Sequence, residues 1–252
     1  MGLSLKKAHA RYKQQAGWTE ELRAHLFERA GMVEVERVLE VGSGTGAVLN
    51  GLKTQAEVHG LDIHLPALQF SGLEKAEPGL TGGDAHALPY AGGSFDLVYC
   101  HFLLLWVDAA AGVLGEMKRV TRAGGAVLAL AEPDYGGRID YPDELVAFGK
   151  LQREALTARG ADVEMGRKLA GLFSGAGLED VEVGVMGAEW SVGNDERGDA
   201  LEREVLKADL EGRVDQVALG RMLAVAEKSQ EQGERILYVP TFYAWGKMAE
   251  TK

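Results

Sequence analysis

The chain has 252 residues, 46% of them apolar, which suits one α/β domain with embellishments or two small domains. Its 38 acidic residues outnumber 27 basic ones, and the formal charge of −11 argues against a nucleic-acid backbone as partner, because such binding needs clustered Lys and Arg. No apolar run reaches the roughly 18 residues of a membrane span, and a single cysteine, Cys100, excludes an internal disulfide and suits a reducing cytoplasm.

The chain begins MGLSLKKAHARYKQQ, with no apolar stretch after its basic residues, so no secretory leader is expected. Residues 3–30 read as two helices broken near Gly17, with Thr19 placed to cap the second. From 37 to 131 short runs rich in β-branched residues (RVLEV, EVHGLDI, FDLVYC, GAVLALA) alternate with stretches long enough for helices. This is the pattern of βαβ units on a parallel sheet. VLALA is apolar at every position, as a strand covered on both faces requires. A helix beginning at Pro142-Asp143 carries Leu145, Phe148, Ala155 and Leu156 on one stripe. A shorter helix over about 166–176 closes at Gly177. LEDVEVGVM then reads as a strand, residues 195–232 as two charged amphipathic helices, and PTFYAWGKM as the last strand. No linker is long enough to mark independent domains. The six histidines (9, 25, 59, 64, 86 and 101) show no metal-ligand spacing, so no metal site is expected.

The first strand runs into VLEVGSGTGAVL, residues 38–49. Gly42, Gly44 and Gly46 fall where a strand ending at Val41 meets a helix expected to start near Gly46. Glycines there let backbone N–H groups approach a ligand, and the helix N-terminus would face it with partial positive charge. The spacing also fits the dinucleotide fingerprint G-x-G-x-x-A, with Ala47 last. Asp62, at the end of the second strand, can accept hydrogen bonds from both hydroxyls of a ribose. Asp84, ending a short third strand, can receive an adenine amino group. The backbone N–H of small Ala85 can meet the adenine ring.

Taken in order, VLEVGSGTG, LDI, GDAHALPYAGGSFDLV and LGEMKRVTRAGGAVLALAEPD resemble the class I S-adenosylmethionine-dependent methyltransferases. The nearest branch is the small-molecule one that includes ubiquinone and menaquinone biosynthesis methyltransferases (type 11). The resemblance covers residues 35–135 well and the last strand moderately. It implies a Rossmann-like, doubly wound sheet of seven strands, mostly parallel with the last antiparallel. The chain reads as a single domain, with an N-terminal helical cap over 1–31 and a cofactor-binding core over 35–135; a helical insertion over 187–233, read as a lid, departs from the family by interrupting the usual hairpin between the last two strands. By the same resemblance, Glu40, Gly42, Gly44 and Gly46 lie along the methionine part of S-adenosyl-L-methionine. Asp62 binds the ribose, Ile63 packs on the adenine, Asp84 and Ala85 read its edge, and His101 lies near the sulfonium methyl.

The implied reaction is methyl transfer to a small-molecule acceptor, driven by proximity and orientation and leaving S-adenosyl-L-homocysteine. His101 is the best-placed base, although a packing role at the strand end competes with it. Tyr12, Trp18, Glu132, Asp134 and Trp190 are candidate substrate contacts, each with a structural alternative: core packing for the aromatics, capping for the acids. A nicotinamide-dependent oxidoreductase shares the glycine loop and Asp62, but not Asp84 or the ALPYAGGSFD segment beyond it. A cofactor-binding protein without turnover is a third reading. A cytoplasmic protein without nucleic-acid partners is expected, and a homodimer is compatible with the sequence.

Overall fold

The computed structural model describes residues 4–30, 35–52, 54–71, 79–187 and 196–250. Helices α1 (Leu5–Trp18) and α2 (Glu20–Arg29) come first. Next come β1 (Arg37–Val41), β2 (Glu57–Asp62), α3 (Leu65–Ser71), β3 (Gly79–Gly82), β4 (Phe95–Cys100), α4 (Ala110–Val120) and β5 (Thr121–Pro133). The second half holds β6 (Ile139–Tyr141), α5 (Val146–Thr157), α6 (Met165–Gly175), β7 (Glu179–Val185), α7 (Glu196–Leu210), α8 (Gln216–Glu231), β8 (Ile236–Tyr238) and β9 (Thr241–Lys247).

Seven strands form one sheet in the order β3-β2-β1-β4-β5-β9-β7. The first five are parallel, and β9 runs antiparallel to both β5 and β7. Side chains of successive strand residues point to opposite faces, and both faces here are dry. Leu39, Val41, Val98, Cys100, Val127 and Ala129 pack toward α4 and α6, against Val113, Met117, Leu169 and Phe173. Val38, Leu97, Tyr99, Ala126, Leu128 and Leu130 pack on the other face, against Leu26 and Phe27 of α2. Each such fully buried side chain contributes roughly 1.5–3 kcal/mol, so the two layers fix the register of the central strands. That register sets where the strand tips lie.

Two features depart from the sequence reading. The helix expected from Gly46 is a single 3-10 turn, Leu49–Gly51. Gly46 sits at φ +71°, outside right-handed helical space, and Asn50-Gly51 is a weak helix former. A short antiparallel ribbon, β6 with β8, stands apart from the main sheet. Three-residue strands carry too little alternation to be read in advance. Between β7 and β9 the chain forms α7 and α8. These pack through Leu206, Leu210, Leu219 and Leu223 on Leu145, Phe148 and Ala155, building a third apolar core.

Candidate functional site

The carboxyl tips of β1, β2 and β4 open into a cavity of about 770 Å³, also lined by residues of α1, α5 and α7. Its lining brings together Glu40, Gly42, Ser43, Gly44, Asp62, His101 and Tyr12 with Arg11, Tyr135, Gln152, Arg159 and Asp209.

The glycine loop is held by its own hydrogen bonds. The Gly42 and Ser43 N–H groups donate to the Leu61 carbonyl (2.7 and 3.0 Å), and Gly46 N–H donates to the Ser43 carbonyl (2.8 Å). Gly44 N–H donates to Asp62 Oδ2 (2.7 Å), while Asp62 Oδ1 accepts from His64 N–H (2.7 Å). These N–H groups are therefore spent, and no α-helix begins at the loop. The anion cradle that a dinucleotide pyrophosphate needs is missing. The donor set suits a different ligand. Glu40 and Asp62 offer carboxyl groups to hydroxyls and positive charge, and each Asp62 oxygen keeps a free lone pair. At Gly42 (φ +75°) a β-carbon would stand 2.8 Å from Leu103 Cδ1, so the loop lies tight on the β4 tip. A β-carbon on Gly44 would meet only Tyr12 and Asp62, at 3.8 and 3.9 Å, which leaves that glycine open to the cavity.

Glu40 is buried beneath the loop and accepts a hydrogen bond from the Tyr99 hydroxyl at Oε2 (3.1 Å). Burial pushes its pKa to about 8, against the opposing pull of Tyr99 and Arg23. His101 is lowered to about 3, by burial first and by the Arg23 charge second. Its Nε2 lies 3.0 Å from Thr19 Oγ1. Thr19 Oγ1 donates to the Ala16 carbonyl (3.2 Å) and accepts from Arg23. That network puts a proton on Nε2 and leaves Nδ1 as the acceptor of a neutral ring. Thr19 thus ties α1 and α2 to the cavity wall; its hydroxyl makes no capping bond to α2. Phe102, next to His101, holds a left-handed φ of +54°, a strained non-glycine position in the wall.

Several expected residues lie elsewhere. Gly46 does not line the cavity; a β-carbon there would clash with Ser71 Oγ at 2.1 Å, so its glycine is needed for packing. Ile63 is 73% exposed beyond the β2 tip. Asp84 is also outside, two residues past the β3 partner of Asp62, with its carboxylate bonded to His86 N–H (2.9 Å) and Nδ1 (2.8 Å). Ala85 is buried beside Leu88. Glu132 is fully buried and accepts from the N–H groups of Leu103, Leu104 and Leu105 at 2.9–3.1 Å, which places it as a cap. Asp134 likewise accepts from Gly136 and Gly137 N–H and pairs with Arg167. Trp18 is exposed under the Arg11 guanidinium, 4.7 Å from ring centre to cation, and does not line the cavity. Trp190 lies outside the described residues. Sequence reasoning does not single out Arg11, Tyr135, Gln152, Arg159 and Asp209. Each sits on a helix or turn whose charged residues look like an ordinary solvated face, and only the fold gathers them.

Residues 39–129 match the family model described as "Methyltransferase domain". The malonyl-[acyl-carrier protein] O-methyltransferase of Halorhodospira halophila is 37% identical over 127 residues, 47% of this chain and 43% of that protein. The ubiquinone/menaquinone biosynthesis C-methyltransferase UbiE of Desulfotalea psychrophila is 28% identical over 199 residues, 70% of this chain and 81% of that protein. Thus the chain spans less than half of the first relative's length. Among solved structures, phosphoethanolamine N-methyltransferase 2 of Haemonchus contortus, in complex with S-adenosylhomocysteine, aligns with a TM-score of 0.60 at 18% identity. That alignment covers 93% of this chain and 54% of that one, and it speaks to the fold.

Proposed function

We propose that the chain is a class I S-adenosylmethionine-dependent methyltransferase, a reading supported by the family match and the relatives, and that it transfers a methyl group to a small-molecule acceptor held between the sheet edge and α7. The observation that carries this reading is the pairing of Asp62 with the glycine loop in the lining of the cavity.

S-adenosylmethionine supplies a methyl group on a positive sulfur: the acceptor lone pair forms a bond to carbon, the S–C bond breaks, and its electrons remain on a neutral sulfur. The protein's own work is to hold, orient and keep dry. Asp62, preset by Gly44 and His64, offers its remaining lone pairs to the ribose hydroxyls. Ile63 and Asp84 face the adenine, with Ala85 beneath. Glu40, Gly42 and Gly44 line the path of the methionine part, and Tyr12 of α1 closes over Gly44. Orientation of this kind supplies roughly 7–11 kcal/mol at best in model systems. His101 is neutral throughout the physiological range, so it orients an acceptor through Nδ1 and does not hold a proton as a strong base would. The α7–α8 segment, with Val205, Ala208 and Asp209 in the cavity wall, serves as the cap on the acceptor side.

The test is calorimetric. Asp62→Ala is expected to weaken S-adenosylhomocysteine binding at least tenfold, because charge-assisted bonds to two hydroxyls exceed the ~1.4 kcal/mol that a factor of ten represents. Unchanged affinity would remove Asp62 from the ribose site. Failure of the wild-type protein to bind that ligand at all would overturn the assignment.

A further inference from the structure

Among the described residues, the cavity lining holds a cation without a counterion, Arg11. Arg11 donates through Nη1 to Gln14 Oε1 (2.7 Å) and stacks on Trp18, and among the described residues no carboxylate reaches ion-pair distance of it. It is half-buried, and its electrostatic neighbours are Tyr135, Glu202 and Asp209, with neither Glu40 nor Asp62 among them. A partly desolvated charge left unpaired is costly unless something docks against it. The acids near it are engaged: Asp209 accepts from Arg159 at Oδ1 (2.5 Å) and from Gln152 at Oδ2 (2.8 Å), and Glu202 accepts from Arg235 (3.3 Å). Arg159 lies over the Trp106 ring (5.4 Å), so two guanidinium planes on this wall are stacked on aromatic faces and pre-oriented. Among the described residues no hydrogen bond engages the Tyr135 hydroxyl, which lines the same cavity. Arg213 stands at the exposed rim. The same lining carries Asp209 and Glu211, and among the described residues no acid is ion-paired with Arg11.

Resting on the methyl-transfer reading above, we propose that the acceptor carries an anionic oxygen group, a carboxylate or a phosphate, bound by Arg11 and Arg159 beside the Tyr135 hydroxyl. Guanidinium forks match both anions by paired N–H donors. The anion anchors the molecule at the α1–α5 wall and leaves its other end directed toward the sheet tips and His101. A cationic acceptor would find Asp209 already taken by Arg159 and Gln152. The rival occupant of Arg11 is the carboxylate of the cofactor itself, and the experiment separates the two.

Calorimetry on the full chain first measures S-adenosylhomocysteine affinity for the wild type, Arg11→Gln and Arg11→Lys. The protein saturated with that ligand is then titrated with phenyl phosphate, phenylacetate and neutral phenylacetamide. The wild type is expected to bind one of the two anions at least tenfold more tightly than the amide, and the stronger of them identifies the group. Arg11→Gln is expected to abolish that preference with S-adenosylhomocysteine affinity unchanged, and Arg11→Lys to keep part of it. Equal binding of anions and amide by the wild type overturns the proposal, as does a tenfold loss of S-adenosylhomocysteine affinity in Arg11→Gln, which assigns Arg11 to the cofactor. Absence of S-adenosylhomocysteine binding in the wild type overturns the methyl-transfer reading instead.

Discussion

Glu40 carries the charge most open to control by a ligand. With its pKa raised to about 8 by burial, it is largely protonated at neutral pH. The folded pKa exceeds the ordinary carboxyl value, so the free protein binds more protons than its unfolded chain between those limits. Its stability therefore falls as pH rises from about 4.5 towards 8, and levels off beyond. A positive sulfonium at the loop draws Glu40 toward its ionised form, so binding releases a proton. S-adenosylmethionine affinity is expected to rise with pH up to about 8 and more steeply than that of neutral-sulfur S-adenosylhomocysteine. Calorimetry of both ligands in buffers of different ionisation enthalpy reads the proton release, and Glu40→Gln should erase the difference between them. Equal slopes in the wild type would place Glu40 out of reach of the sulfur. His101 makes the opposite contribution: already neutral well below pH 5, it adds no limb to a turnover profile near the ordinary histidine pKa.

The tip of β5 and the turn after β4 depend on one another. Glu132 points from β5 under the 3-10 turn Leu104–Trp106 and satisfies three backbone donors there. Glu132→Ala leaves those N–H groups without acceptors, at roughly 1–3 kcal/mol for each that stays buried. A loss of about 3 kcal/mol or more in urea unfolding is expected, and Glu132→Gln, which keeps one acceptor oxygen, should lose less. An unchanged midpoint would show that water reaches the turn. Glu132 also marks the limit of what is legible in the sequence. Strands β1, β4 and β5 are legible because both faces are apolar and strand length separates them from helices. The place of Asp62, Gly42 and Gly44 at the sheet edge is legible through their spacing, while Gly46 turns out to pack against Ser71. Whether Glu132 and Asp134 face ligand or backbone is not, because a carboxylate at a strand tip serves either purpose and only the turn after it decides. The helix expected after Gly46 fails because the positive φ that the loop demands removes that residue from helical space. Arg11, Arg159 and Asp209 stay hidden because they are far apart in the chain and meet only when α1, α5 and α7 close on one cavity.

At the scale of the molecule, the proposed cofactor and acceptor sides rest on different cores. The loop, Asp62 and His101 hang from the two apolar layers of the main sheet. The α7–α8 cap is seated on α5 through Leu206, Leu210, Leu219 and Leu223. Its ties to the rest include ion pairs, Lys7 with Glu204, Arg235 with Glu202 and Arg159 with Asp209. The exposed Lys7–Glu204 pair contributes little, whereas Arg235 and Asp209 are buried in theirs, so the leucines and these two pairs together seat the cap. Leu210 is fully buried in that core. Leu210→Ala should cost about 2–5 kcal/mol where the side chain packs, and the loss should fall on the cap because the sheet cores share none of these residues. In hydrogen exchange, amides of α7 and α8 are expected to lose protection while those of β1 and β4 keep theirs. S-adenosylhomocysteine affinity should be retained, while binding of the acceptor-side anion probe weakens as Asp209 and Arg159 lose their fixed partners. A uniform loss of protection across cap and sheet would instead show one cooperative unit, in which acceptor and cofactor sites cannot be loosened separately.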